Sequence, residues 1–533
     1  MNYNRNNSPY FPYVELKNND VPEMQNLQIQ AYGKRIIKDQ TVPEYLLEFL
    51  LVFIGEYNGK SGFDKVEETY DTEVKYKVDT NIGLKRFIFF ENSKLENRFS
   101  IDSEAYERLN EKLSKNIKGG NYNSEDILNI IQELFYGFSS VTKNRGWFAQ
   151  SLMPVCEDVI FPEAMGKKSM RKDLVFDKEG KAIDKEFEFK AHNFMARGGE
   201  VYYLHVLQGL EKEPQLKNSI GSNIRNLINS YPQLSTLSRW ITDNWNEFMK
   251  EKCKNENIVE ELKEELKCQW ITQRYSRRSS YTVKELNSLL MCETSEFEKI
   301  DLLNTGIVIQ ILRMMVESSV CITQDKLESN PMWLIHVPST SEVDKKIKKL
   351  AVEEYKNIEE HMEVSIAKML ENKKHYTDKN NIEDKKTEST ILTTLKEAND
   401  DSFKLMRKLG KDIGLITPIR GDNMRFSIND SIIRYFVLSL VEPGTKITLN
   451  SFLTKLYNHY GIVIGQNEYT KYVIENNINQ EKDTSFLNYN LIEFQSLLRK
   501  NGFLRELSDA TSIVENPYRK TGEFVDEVVY SSC

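Results

Sequence analysis

The sequence predicts a helix-dominated α+β protein, on three observations. Apolar residues recur at three- and four-residue steps through most of the stretch from Glu200 to Ser319. Period-two alternation is confined to short runs, near 72–99 and 173–189, which marks small β-hairpins in the N-terminal half rather than a large sheet. The composition, 40 % hydrophobic and 29 % charged over 533 residues, suits two to four globular domains. It excludes collagen-like, mucin-like and wholly disordered chains.

Along the chain, residues 1 to about 40 are polar with scattered aromatics. A helix is predicted from Val42-Pro43-Glu44, since proline and an acid both suit a first helical turn. Tyr45, Leu46, Phe49, Leu50 and Phe53 are too densely apolar for a surface helix, so it should be buried. From Thr72 to Phe99, Val74, Tyr76 and Val78 and then Leu84, Phe87 and Phe89 alternate around Asn81-Ile82-Gly83, which predicts a local hairpin. Helices should resume at Asp102/Ser103 and at Ser124, which precedes two acids. A second hairpin spans Asp173 to Phe189 around Asp177–Lys181. Helices follow to Ser319, and Ile300, Leu303, Ile307, Ile311 and Met314 place Phe297–Ser319 in the core. Ser341–Asn372 reads as a charged helix paired with Ile391–Leu409 across a polar linker, Lys373–Ser389. The expected segments are 1–120, 121–340, 341–415 and 416–533.

The last segment shows the clearest order. A helix capped at Ser427 carries Ile428, Ile432, Ile433, Phe436, Val437 and Leu440. Pro443-Gly444 turns into a strand, Lys446–Thr448; Asn450 or Ser451 caps a helix ending at Gly461. A third helix spans Leu491–Lys500, and Phe503–Leu507 and Thr511–Val514 flank Ser508–Ala510 as a hairpin. In this order the segment resembles a winged helix-turn-helix domain, with a long insert, Ile462–Asn488, between its second and third helices. The resemblance implies a DNA-reading third helix, offering Arg499 and Lys500, or a protein-docking module. Glu493, Glu506 and Asp509 dilute its basic character.

The net charge of −8, from 72 basic and 80 acidic residues, restricts any nucleic-acid site to a local patch. Six cysteines stand in no zinc-type spacing, and the N-terminus lacks the layout of an export signal. A cytoplasmic protein without a membrane span is expected. Abundant Lys, Asn and Ile suggest an AT-rich bacterial genome. No GxxxxGK[ST], GxGxxG, GxSxG or HExxH is present, which disfavours P-loop ATPases, Rossmann enzymes, serine hydrolases and zincins.

Three constellations could carry chemistry. Asp173 starts one hairpin strand, and Glu188 and Lys190 sit at i and i+2 of the partner strand, so the latter two share a face. This resembles the acid-and-(D/E)xK core of the PD-(D/E)xK nuclease superfamily. The resemblance implies Mg²⁺ on Asp173 and Glu188, with Lys190 holding the attacking water or neutralising the phosphate. Lys168 and Arg171 could hold the backbone. The plainer reading is a solvated hairpin face, to which Glu186 also belongs. His192 and Arg197-Gly198-Gly199 could form an anion-binding loop at a helix N-terminus, or a structural turn. Arg274, Arg277 and Arg278, interleaved with Tyr275, Tyr281 and hydroxyls, suit a nucleic-acid backbone, or a loop before the next helix.

The leading expectation is a cytosolic bacterial subunit of a multi-protein, DNA-transacting system, of the kind that includes anti-phage and anti-plasmid defence, binding nucleic acid or a partner protein. The alternative is a Mg²⁺-dependent nuclease, so enzymatic activity stays open. A scaffold whose winged helix binds only protein is the third class.

Overall fold

Helices dominate, and the strands are short and paired in twos and threes. The computed structural model describes residues 27–34, 36, 41–66, 74–79, 83–89, 100–116, 123–137, 139–140, 151–161, 165–166, 175–176, 182–183, 189–190, 198–252, 263–268, 276–379, 388–478, 483–506 and 512–520. In chain order the first helices are α1 (Leu27–Tyr32), α2 (Val42–Ile54), α3 (Leu84–Phe89), α4 (Ser100–Asn116), α5 (Ser124–Gly137), α6 (Gly198–Lys212), α7 (Lys217–Leu227) and α8 (Pro232–Lys252). Then come α9 (Ser276–Met291), α10 (Glu296–Gln324), α11 (Asp344–Lys379), α12 (Glu388–Asn399), α13 (Leu405–Asp412), α14 (Asp430–Leu440), α15 (Leu449–Tyr460), α16 (Gln466–Glu475) and α17 (Leu487–Lys500). The strands are β1 (Val74–Asp79), β2 (Ser139–Ser140), β3 (Ser151–Leu152), β4 (Met165–Gly166), β5 (Val175–Phe176), β6 (Ala182–Ile183), β7 (Phe189–Lys190) and β8 (Lys263–Cys268). They continue as β9 (Trp333–Leu334), β10 (Ile416–Thr417), β11 (Arg425–Phe426), β12 (Lys446–Thr448), β13 (Ile462–Val463), β14 (Leu504–Glu506) and β15 (Ser512–Glu515).

The chain forms two compact units, each discontinuous in sequence. One holds Asp39–Leu204 and Ile224–Trp270; the other holds Met1–Lys38, His205–Asn223 and Ile271–Cys533. Of the four segments expected from sequence, 1–120 and 121–340 fall in both units, and 341–415 and 416–533 lie in the unit with Ile271–Cys533.

In the Asp39–Leu204/Ile224–Trp270 unit, α2 is buried along nearly its whole length. Both its ends are closed by side chains. Thr41 N donates to Glu44 Oε2 at 2.7 Å, half of a capping box. At the other end the buried Lys65 ammonium donates to the carbonyls of Val52, Phe53 (3.2 Å) and Gly55 (2.7 Å), groups a helix end leaves without partners.

The expected 72–99 hairpin is corrected. β1 pairs antiparallel with β8, Val74 opposite Cys268, and Leu84–Phe89 is a helix. Leu84, Phe87 and Ile88 are all buried at i, i+3 and i+4, a spacing that serves a helix as well as a strand. The same pairing corrects the all-helical reading of 200–319, because Lys263–Cys268 is a strand. The 173–189 region does hold a hairpin, β5 with β6, Val175 opposite Ile183.

In the other unit α10 is the core element. It is long and apolar enough to cross a membrane, and that apolar window is wholly buried inside the protein. Ser295 caps its start, accepting from Glu298 N. Beside it, α11 folds back on α12 and α13, so that Glu359 meets Arg407 in an ion pair at 2.5 Å. Helix α11 reaches Lys379 and α12 begins at Glu388, so the expected linker 373–389 is shorter than the polar run.

From α14 the order is helix, strand, helix, two further helices and hairpin. Three helix starts differ from expectation. Asn429, not Ser427, caps α14; Thr448, not Asn450 or Ser451, caps α15; and α17 starts at Leu487, a turn early. Strands β12, β15 and β14 form one sheet in that spatial order. Gly461 ends α15 with φ of 67°, a left-handed cap that suits glycine.

Candidate functional site

Helix α17 has one buried face and one exposed face. Its inner face, Leu487, Asn490, Phe494 and Leu498, is buried at helical spacing. Asn490 fixes the helix. Its amide donates to the carbonyls of Ile335 and Ile464, both at 2.8 Å, and its oxygen accepts from Val337 N at 2.9 Å. The insert between the second and third C-terminal helices supplies the rest of the anchor, because β13 runs parallel to β9, Ile462 opposite Trp333. Opposite this anchor the helix exposes Asn488, Tyr489, Ile492, Arg499 and Lys500. Tyr489 is 52 % and Ile492 57 % exposed, one turn apart. Arg499 pairs with Glu506 of the hairpin, and Arg505 with Glu515 at 2.7 Å.

Beneath α15 lies a buried polar network that joins it to α9 and α10. Arg278 Nε lies 2.5 Å from Glu317 Oε2. The same guanidinium donates to the His459 carbonyl and, at 2.6 Å, to Asn330 Oδ1. Arg313 donates to the Pro331 carbonyl at 2.6 Å and to Asn330 Oδ1 at 2.7 Å. Burial and the neighbouring Arg278 push the Arg313 pKa down, with Glu317 opposing. Next to this pair, the buried Glu285 carboxylate accepts from Tyr460 Oη at 2.5 Å and Gln310 Nε2 at 2.9 Å, and faces His459 Nδ1. Burial and then Glu285 push the Tyr460 phenol well above its ordinary pKa, so it stays a donor. Losing one member of such a pair leaves a buried charge uncompensated, at a cost of about 3–5 kcal/mol. The network therefore holds α15 rigidly.

Of the residues singled out from sequence, Arg278 is corrected. It is not on a surface: it is 6 % exposed and ion-paired inside the protein, so it is not placed to meet a phosphate backbone. Arg277 is the second residue of α9, in a helix rather than a loop. Arg274, Asp173, Glu188, Lys168, Arg171, His192 and Arg197 lie outside the described residues. Lys190 is in β7, whose partner is β4, Met165 opposite Lys190. Asp173, the other half of the expected pair of strands, lies outside the described residues; among those described, β5 pairs with β6. Arg499 and Lys500 do share the exposed face of α17.

The double glycine also changes meaning. The Glu48 carboxylate of α2 accepts from Gly199 N at 2.7 Å and Glu200 N at 3.2 Å. The N-terminus of α6 thus already holds an anion, and it is a side chain of this protein. A Cβ at Gly198 would strike the Tyr45 ring, and one at Gly199 the Tyr45 carbonyl and Phe49 nitrogen. The glycines let α6 approach α2 closely.

Sequence reading missed Asn490, Glu285, Tyr489 and Ile492. The signal for the last two was an apolar pair outside the buried stripe of α17, with Tyr489 read as lying between the insert and the third helix and Ile492 as part of that helix. No family model, curated protein or solved structure matches this chain.

Proposed function

We propose that this chain is a cytoplasmic binding subunit of a multi-protein assembly, of the DNA-transacting and defence-linked kind expected from sequence. Its C-terminal module, winged-helix-like in element order and in its β12-β15-β14 sheet, docks a protein through the outer face of α17. One observation supports this most. The face sets Tyr489 and Ile492, 52 % and 57 % exposed, in its centre, while the arginine at its end is neutralised by Glu506. Exposed aromatic and aliphatic anchors on a rigid helix suit a protein interface. Phosphate binding needs unpaired cations in a row, and Lys500 alone does not make one.

The test places a photo-crosslinking residue at Tyr489 in the full chain, in its native cell. The expected product is one discrete protein adduct, lost in the Ile492→Lys variant. Adducts to nucleic acid would overturn the reading. So would retention of duplex DNA whose salt dependence falls on Arg499→Glu and Lys500→Glu.

A further inference from the structure

A cleft of about 670 Å³ opens in the unit that contains α10, α11 and α16. Its floor is apolar: Val320, Met332 and Ile358 are buried there, and Val364 and Ile478 stand at the mouth. Tyr469 and Tyr472 of α16 form one wall. Along the opposite edge, α11 presents Glu353, Glu354 and Glu360. Glu353 and Glu360 are seven residues apart, so they lie on one face about 10 Å apart along the helix. Both are exposed, and among the described residues no lysine or arginine lies within ion-pair distance of either.

No lysine or arginine is among the residues that line the cleft; Lys349 and Lys356 flank Glu353 and Glu360 along α11, outside that lining. Lys368 donates to the Ile322 and Thr323 carbonyls, at 3.2 and 3.0 Å, and Lys471 lies over the Tyr457 ring and beside Glu475. His361 is held in one orientation. The Thr323 hydroxyl lies near the Ser319 and Val320 carbonyls, at 3.0 and 3.1 Å, and so accepts from His361 Nδ1 at 2.6 Å. Burial lowers the His361 pKa, which leaves a neutral ring with Nε2 as an acceptor. The cleft therefore combines an apolar floor, two phenol rings and an edge of acceptors.

We propose that this cleft takes a short basic, amphipathic segment of a partner protein. Its apolar side chain seats on Val320, Met332 and Ile358, and its lysines or arginines meet Glu353 and Glu360, with the tyrosine faces beside them. Charge complementarity selects that occupant: carboxylates repel nucleic acid, and an uncharged apolar segment would leave the acidic edge without a partner. The site is separate from the α17 face and does not depend on it.

The test is fluorescence anisotropy on the full-length protein. The probe is a labelled helical peptide with lysines seven residues apart and leucines between them; its control has glutamates in place of the lysines. Saturable binding of the lysine peptide is expected, about tenfold weaker in E353K/E360K and weaker on raising NaCl from about 0.1 to 0.5 M. Ile492→Lys should leave it unchanged, which keeps this result apart from the docking reading of α17. Circular dichroism confirms folding of the variant, and Val364→Asp, at the mouth, gives a second reading of the same site. Equal binding by E353K/E360K, binding of the glutamate peptide, or no saturable binding by the wild type overturns the proposal. Self-association of the wild type that E353K/E360K abolishes also overturns it, by assigning the cleft to a second copy of this chain.

Discussion

His205 shows how one buried side chain sets the conditions under which the protein survives. It sits on α6 with Nε2 2.9 Å from the Thr282 hydroxyl, which itself donates to the Arg278 carbonyl. The imidazole is 3 % exposed. Burial, then the charge of Arg278, pushes its pKa down from 6.5 to about 3. A depressed value means that the unfolded chain takes a proton where the folded chain does not. The stabilising contribution of the neutral ring is therefore complete above pH 6.5 and is lost as pH falls from there toward 3. One such group gives a slope of about 1.4 kcal/mol per pH unit. His336 and His361 are also lowered by burial and act in the same direction. Urea unfolding should show this slope below about pH 6.5, measured from about pH 6 down to 5, and none from it between about pH 7 and 8; His205→Gln should flatten it while costing about 1 kcal/mol at the alkaline end. An unchanged slope in the variant would sink the assignment. None of this was legible beforehand, because the sequence gives no sign that His205 meets Thr282. Arg278 was misread for a related reason. A run of arginines and hydroxyls looks solvated, and the carboxylate that draws Arg278 inward, Glu317, sits on the long buried helix α10.

At the scale of elements, long helices and strands next to clear turns were legible, as β12 at Lys446–Thr448 shows, and a strand without a local signal was not. The helical period over α10 and the proline and acid at the start of α2 are local signals, and both helices form where they predict. Strand β8, Lys-Glu-Glu-Leu-Lys-Cys, carries no local signal and exists because β1 lies beside it. The hairpin order near the C-terminus was readable from turns, whereas the anchor of α17 was not, since one asparagine bridges three chain segments. That anchor gives a prediction. Asn490→Leu keeps the volume but leaves the Ile335 and Ile464 carbonyls and the Val337 amide unpaired. At about 1–3 kcal/mol for each buried group left without a partner, the loss should be about 3 kcal/mol or more. Hydrogen exchange should quicken first at Ile464 and Val337 and along α17. A cost below about 1 kcal/mol would show that α17 is held by its apolar face alone.

For the molecule as a whole, the question is which stretches can fold by themselves. Read from sequence, 416–533 is a separate domain that could be cut out and studied. The structure interleaves it with earlier chain. Its insert strand β13 pairs with Trp333–Leu334. Its third helix bonds to Ile335 and Val337 through Asn490. The end of its second helix receives Arg278, and Glu285 receives Tyr460. The earlier part is itself completed by distant chain: Ser318 donates to the Ala31 carbonyl, and Tyr32 Oη lies 3.2 Å from Ser319 Oγ. Cutting at 416 would strip β13 of its partner strand and expose the apolar residues Tyr457, Val463, Tyr469 and Leu487, which cluster with Met332, Leu334 and Leu350 in the intact chain. Stability in small domains is a narrow margin between large terms, so a loss of this kind should be decisive. The fragment 416–533 is therefore expected to show no cooperative thermal transition and to bind a hydrophobic dye, while the full chain unfolds cooperatively. A sharp transition for the fragment, with dispersed amide resonances, would mean that the module folds alone and that its contacts with 271–337 orient it rather than complete it.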